Sequence, residues 1–188
     1  MTKHHPKAVA HARYDSPLGP LMGTATEHGI AGLWFDDQKY HPGPADVPEA
    51  PQQRWLAALG TQLRDYFAGD LRRFTVPLDL HGTPFQQAVW RALQSIEAGG
   101  TRTYSQIAQQ AGSPAAVRAA GSAIGHNPVS IVVPCHRVIG RDGSLTGYAG
   151  GLPRKNALLR LEGAMTNPQE SRTKTATHAG PALSTVAR

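Results

Sequence analysis

Between Thr83 and Gly125 the chain carries too many helix start and stop signals for one long helix. Thr83-Pro84-Phe85-Gln86 offers a capping hydroxyl, a proline suited to the first helical position, and a glutamine that can close a capping box. Phe85, Val89, Ala92, Leu93 and Ile96 follow at helical spacing, and Gly99-Gly100 ends the run. Thr103-Tyr104-Ser105-Gln106 repeats the capping pattern and opens a short helix that stops at Gly112. Ser113-Pro114 starts a third, which Gly125 stops. Three short helices with tight turns predict a helix-turn-helix type of packing.

The remainder divides around this block. Residues 1–11 read as a flexible leader. From Ala12 to Phe35 the pattern is short and strand-like, with turns at Ser16-Pro17-Leu18-Gly19-Pro20 and Glu27-His28-Gly29. Residues 41–51, rich in Pro, Gly and Ala, read as a loop. Trp55, Leu56, Leu59, Leu63, Tyr66 and Phe67 then predict a helix ended by Gly69. This gives an N-terminal α+β unit over 12–78 and a second unit over 79–165. In the second unit, residues 128–148 read as short strands and turns, and a last helix runs from about Pro153 to Glu162 with Leu158, Leu159 and Leu161 for packing. Residues 166–188 read as a disordered tail.

Charge is uneven along the chain. Residues 1–80 hold eight Lys/Arg and nine Asp/Glu, whereas residues 81–165 hold eight and three. The basic surplus therefore belongs to the second unit, which suits either a polyanion partner or a solubility bias. No apolar run approaches the ~20 residues of a membrane helix, and the N-terminus lacks the apolar segment of a secretory signal. The single cysteine excludes an internal disulfide and a multi-cysteine zinc cluster, and leads us to expect a reducing, cytoplasmic setting.

On the third helix Val117, Ala120, Gly121 and Ile124 form an inward face. Arg118 falls outside it, beside Ala115, Ala119 and Ser122. Such a face of small residues can approach another surface closely and let the arginine reach into it; an ordinary solvated arginine is the alternative. Cys135 lies in Ile-Val-Val-Pro-Cys-His-Arg-Val, residues 131–138. A lone cysteine is commonly a small buried hydrophobe, but Pro134 interrupts strand pairing and His136-Arg137 put polarity beside the thiol. A nearby base favours the thiolate, and that base needs an orienting carboxylate. The acids in 81–165 are Glu97, Asp142 and Glu162, which leaves Glu162 a candidate.

Pro134-Cys135-His136-Arg137-Val138 resembles the signature of the O6-alkylguanine-DNA alkyltransferases, the methylated-DNA-protein-cysteine methyltransferases. Arg102-Thr103-Tyr104-Ser105, Val117-Arg118-Ala119, Gly125-His126-Asn127-Pro128, Gly147-Tyr148-Ala149-Gly150-Gly151 and Leu161-Glu162-Gly163 fall in the family's order and spacing. The resemblance is strong over 83–163 and looser over 12–82. It implies an α+β protein: a small ribonuclease H-like α/β domain, then a winged-helix-like DNA-binding domain carrying the cysteine. It implies that Cys135 accepts the alkyl group, that His136 takes its proton through a water, and that Glu162 orients the histidine. Asn127 would brace the turn between the DNA-binding helices and the cysteine. Arg118 would enter the base stack through the minor groove, with Ala115, Ala119 and Ser122 allowing the close fit. Tyr104 would contact the target phosphate and base. Backbone groups of Cys135 and Val138 would read the guanine edge, Tyr148 and Gly150 would wall the pocket, and the Ala149 amide would face O6.

The implied partner is double-stranded DNA containing O6-alkylguanine, with O4-alkylthymine as a second candidate substrate. A monomer is expected, with no membrane partner, no cofactor and no metal. Some members of the family hold zinc in the first domain through Cys and His, and no Cys stands there in this chain. Position 149 is Ala where some members have Ser. With no second cysteine to remove the alkyl group, the protein would act once. Two other readings compete: a cysteine hydrolase built on Cys135 and His136, and a lesion-binding module without chemistry. Adjacent residues of a strand point to opposite faces, which disfavours a direct Cys–His dyad. A zinc deaminase needs a second Cys three residues on, and position 138 is Val.

Overall fold

The computed structural model describes residues 8–165. Strands β1 (Ala10–Tyr14), β2 (Leu21–Ala25) and β3 (Ile30–Phe35) form an antiparallel meander in that order. The strand begins earlier than the sequence suggests: Ala10 lies opposite Ala25 and His11 opposite Thr24, so residues 10 and 11 are part of the ladder and not of a leader. The rest of that expected leader, 1–7, and the tail expected over 166–188 lie outside the described residues. Every residue of β2 and β3 is buried, because both faces of the sheet are covered. Helix α1 (Arg54–Ala68) packs on the sheet through Leu56, Leu59, Leu63 and Tyr66. The Gln53 side chain caps its start, and Gly69, at φ 88°, ends it in the left-handed conformation that glycine adopts most readily.

The outer edge of β3 joins the two units. Leu33 N–H donates to the Pro128 carbonyl and Ser130 N–H donates to the Leu33 carbonyl, both at 2.9 Å. Further along the same edge, Ile30 N–H donates to Pro77 at 2.8 Å and Asp79 N–H donates to Ile30 at 2.9 Å. An open strand edge invites unwanted pairing. Here the edge is occupied by the chain leaving the first unit and by the segment that leads to Cys135.

The second unit contains α2 (Pro84–Gln94), β4 (Arg102–Thr103), α3 (Tyr104–Gln110), α4 (Val117–Gly125), β5 (Val138–Ile139) and α5 (Leu152–Leu161). Both capping boxes form, at Thr83/Gln86 and Thr103/Gln106. Strands β4 and β5 pair in parallel beside the three helices, completing a winged-helix-like arrangement. Trp90 Nε1 donates to the Ala123 carbonyl at 3.0 Å. That bond satisfies an orphan acceptor in the last turn of α4 and ties it to α2. No helix among the described residues is long and apolar enough to cross a membrane.

Several boundaries differ from expectation. Helix α2 stops at Gln94, before Gly99-Gly100, because Ser95 turns back to bond the Ala92 carbonyl through both its amide and its hydroxyl. Helix α4 starts at Val117, because Ser113 to Ala116 form a separate turn closed by Ala116 N–H on the Ser113 carbonyl. Within the expected stripe of α2, Phe85 is half-buried while Trp90, outside that stripe, is buried. Leu161, expected to pack, is 37% exposed.

Candidate active site

Cys135, His136 and Arg137 form one 3-10 turn, and all three are buried. The sequence suggested a strand here, with neighbouring side chains on opposite faces. The turn replaces that alternation with three successive buried side chains. Ile131, four residues earlier, has φ 71° and is 1% exposed. A β-branched residue at positive φ costs about 1–3 kcal/mol and persists only where its surroundings hold it. Asn127 supplies much of that restraint. Its Oδ1 accepts from Val129 N–H at 3.1 Å, and its Nδ2 donates to the Val133 carbonyl at 2.8 Å. Nδ2 also points a hydrogen at Cys135 Sγ, 3.0 Å away. Burial pushes the Cys135 thiol above its usual pKa, while the Asn127 hydrogen bond and the charge of Lys155 work against that rise. The resting sulfur is therefore a thiol that needs a base when it reacts.

His136 is fully buried, and its Nε2 lies 2.9 Å from Glu162 Oε1. Glu162, which caps the end of α5, also receives a two-pronged contact from Arg137: Nε to Oε2 and Nη2 to Oε1, each 2.8 Å. Burial alone would raise the Glu162 pKa; the hydrogen bonds and charges of His136 and Arg137 overcome it and bring it down to about 2. An ionised carboxylate only accepts, so His136 Nε2 carries the hydrogen and Nδ1 presents its lone pair. Among the described residues Nδ1 has no protein partner. Burial lowers the His136 pKa, opposed by Glu162 and reinforced by Arg137 and Lys155, so the ring is neutral at neutral pH. A neutral imidazole with a free lone pair, one residue from a thiol, has the form of a proton acceptor.

Cys135 forms the floor of a cavity of about 220 Å³. Tyr104, Gly121, Ile124 and Gly125 line it from the helical side, and Gly147, Tyr148 and Ala149 from the facing loop. Lys39 and Tyr40 line it from the loop after β3. The Tyr104 hydroxyl donates to the Thr146 carbonyl at 3.1 Å and approaches that of Gly147 at 3.3 Å, tying the start of α3 to the wall loop. Lys155 is wholly buried behind this wall and donates to the carbonyls of Val138, Thr146 and Gly147. Burial pushes its pKa down to about 8, and negative charge on the Cys135 sulfur would act in the opposite direction. Tyr40 stacks on His126 with ring centroids 4.1 Å apart. Among the described residues, no cluster of His, Cys, Asp or Glu could hold a metal ion.

The structure thus forms two pairs, Asn127 with Cys135 and Glu162 with His136, joined by the chain at 135–136, and sets Tyr104, Tyr148 and Ala149 around the cavity that Cys135 lines. Gly150 is buried behind Tyr148 and is not part of the cavity lining: a Cβ there would stand 2.6 Å from the Tyr148 ring and 3.2 Å from Phe35. Val138 is likewise absent from the lining, and its carbonyl accepts from Lys155. Arg118, Ala119 and Ser122 form the exposed face of α4, while Ala115 is exposed in the turn before it. Sequence reasoning missed Arg137 as the second partner of Glu162, and also Lys155, Tyr66 and the Lys39–Tyr40 loop. A signal for Lys155 was present: Lys155, Leu158, Leu159 and Glu162 share one helical stripe.

Two family models match the chain. One, described as 6-O-methylguanine DNA methyltransferase, ribonuclease-like domain, covers residues 9–80; the other, described as the DNA binding domain of the same family, covers residues 84–164. A methylated-DNA-protein-cysteine methyltransferase of Mycolicibacterium paratuberculosis is 50% identical over 154 residues, spanning 82% of this chain and 92% of the relative. One of the same name from Methanosarcina acetivorans is 44% identical, spanning 82% and 98%. Among solved structures, Mycobacterium tuberculosis OGT in complex with DNA matches with a TM-score of 0.75 at 47% identity, covering 83% of this chain and 94% of that one.

The Glu162 cluster makes stability depend on acid. The carboxyl pKa falls from an ordinary 4.5 to about 2 on folding. Its contribution is therefore complete above pH ~4.5 and disappears as pH drops toward 2, worth about 3 kcal/mol. Urea unfolding of wild type and Glu162→Gln between pH 7 and pH 2.5 should show the gap between the two curves closing below pH ~4.5. A constant gap across that range would mean that the carboxylate is not held as described.

Proposed function

The chain belongs to the 6-O-methylguanine DNA methyltransferase family and repairs alkylated DNA by direct reversal, and we propose that the group it removes ends on its own Cys135. The observation that carries this reading is the chain of contacts beneath the cavity. Asn127 holds the sulfur, His136 offers a free Nδ1, and Glu162 fixes the ring from behind.

Cys135 loses its proton through a bridging water to His136 Nδ1. Sulfur attacks the alkyl carbon on O6 of guanine; a C–S bond forms and the C–O bond breaks. The guanine leaves with the bond's electron pair, becomes a 6-oxo base, and takes a proton at N1. The net transfer is one alkyl group out and one proton back. Tyr104, at the mouth of the cavity, is suited to hydrogen-bond the ring as it leaves, and the Ala149 amide to hydrogen-bond O6. Lys155, beneath the wall, favours negative charge on sulfur during attack. The product is a thioether, and the sequence holds no second cysteine to clear it, so each molecule acts once.

A thiol buried at 4% exposure cannot reach a base inside a duplex, so the nucleotide must leave the stack. The cavity is smaller than the ~300–1,000 Å³ of pockets for drug-sized ligands, which suits a single flipped base. Helix α4 presents Arg118 on a face of Ala119 and Ser122, with Ala115 beside its start. We assign this face to the minor groove, with Arg118 filling the place of the extruded nucleotide and offsetting part of an unstacking cost of a few kcal/mol. The substrate is O6-alkylguanine in double-stranded DNA, with O4-alkylthymine as a further substrate, and the protein acts as a monomer. A reaction that spends a reduced thiol belongs in a reducing compartment, and we assign it to the cytoplasm.

Intact-mass and peptide mass spectrometry after incubation with an O6-methylguanine duplex should find one methyl group, on Cys135. Methyl on any other residue, or none, would contradict the assignment. The role of Arg118 is tested separately. Arg118→Ala should slow methyl transfer from duplex DNA about tenfold or more, in line with an unstacking cost of a few kcal/mol, while leaving transfer from free O6-methylguanine within about twofold. Equal losses on both substrates would remove Arg118 from the flipping step.

A further inference from the structure

Glu162 Oε1 accepts three hydrogen bonds, and one comes from the first unit: the hydroxyl of Tyr66, on α1, donates to it at 2.7 Å. The other two are His136 Nε2 at 2.9 Å and Arg137 Nη2 at 2.8 Å. Tyr66 is 2% exposed and lies 96 residues away from Glu162 in sequence. A buried phenol needs an acceptor; Tyr66 takes the carboxylate of Glu162, while Phe67 and Phe74 pack against its ring at centroid distances of 5.3 Å. Arg72, from the same unit, adds a bond to the Glu162 main-chain carbonyl at 3.0 Å. The carboxylate that orients His136 is thus gripped from both units.

We propose that Tyr66 is a positioning residue for alkyl transfer: its hydroxyl fixes Glu162 Oε1 so that His136 aims Nδ1 toward the thiol, and by sharing the carboxylate's charge it limits how strongly Glu162 draws a proton onto His136. The inference rests on the reading of Cys135 and His136 given above. Burial, reinforced by the neighbouring Glu162, raises the Tyr66 pKa far beyond its usual value, so the phenol remains a donor at every relevant pH. His136 is also faced by Arg137 in its own turn, by Lys155 of α5, and by Tyr148 of the wall loop at a ring distance of 6.4 Å. Tyr66, unlike these groups, reaches His136 only through the Glu162 carboxylate. Removing its hydroxyl leaves more negative charge on Oε1 for His136. The histidine then holds a proton to higher pH, and its neutral, proton-accepting form is lost sooner as pH falls.

The test is the pH dependence of single-turnover methyl transfer from an O6-methylguanine duplex, with protein in excess, from pH 5.5 to 9. In Tyr66→Phe the acid limb should move up by about half to one pH unit. The rate would then fall about three- to tenfold below the limb and stay within about twofold on the plateau. Tyr14→Phe is the control: it removes a tyrosine hydrogen bond of similar length in the first unit, partly buried, Tyr14 hydroxyl to Leu56 carbonyl at 2.8 Å, that does not involve Glu162, and should leave the limb in place. Site-specific 3-fluorotyrosine at position 66 keeps the fold, strengthens the donor and should move the limb down; it decides the question if Tyr66→Phe does not fold. An unmoved limb in the Tyr66 variants, or the same movement in Tyr14→Phe, overturns the proposal. A wild-type protein that leaves no methyl on Cys135 is a different result, and it would overturn the reading of the site itself.

Discussion

A carboxylate in a protein interior must find partners, because an unpaired buried charge costs several kcal/mol. Glu162 finds them in Tyr66 of the first unit and in His136 and Arg137 of the cysteine turn. Satisfying that one charge has three structural consequences. It fixes the tautomer of His136, leaving the Nδ1 lone pair without a partner among the described residues. It holds the end of α5 against the cysteine turn. It also gives the ribonuclease-like unit, which contributes no nucleophile, a direct grip on the reaction centre.

The second constraint is the backbone between Asn127 and Cys135. This segment is hydrogen-bonded to the edge of β3, passes through Ile131 at positive φ, and closes into a 3-10 turn. Asn127 spans it, bonding Val129, Val133 and the sulfur. A turn over-determined at both ends can hold a thiol fixed at the bottom of a narrow cavity. Fixed placement is what a displacement at carbon requires, since the reacting atoms must be aligned before the bond changes begin. The same buried setting favours the protonated sulfur.

Much of this was legible in the sequence, for physical reasons. Both capping boxes are local chemistry, written in four residues each, and both formed. The α1 stripe of Leu56, Leu59, Leu63 and Tyr66 followed from its period. The ordered motifs around Cys135 pointed to the family and to the candidate residues. What was hidden depends on contacts distant in sequence. Nothing local separates the Tyr66 hydroxyl from a core ring, or shows that β3 would pair with residues 128–130. Residues 128–148 read as short strands and turns; over Ile131-Val132-Val133 the pull of Asn127 and the β3 edge overrides strand propensity. Arg137 was noted only as polarity beside the thiol, although its partner was already a candidate.

The central claim is that one thiol per molecule is the acceptor and that it is spent. It is tested most directly by a repair time course with methylated duplex in tenfold excess over protein. The account calls for a single burst of one guanine restored per protein molecule, followed by a flat line however long the reaction runs. Continued repair beyond that burst, with Cys135 returning to its free form, would contradict it.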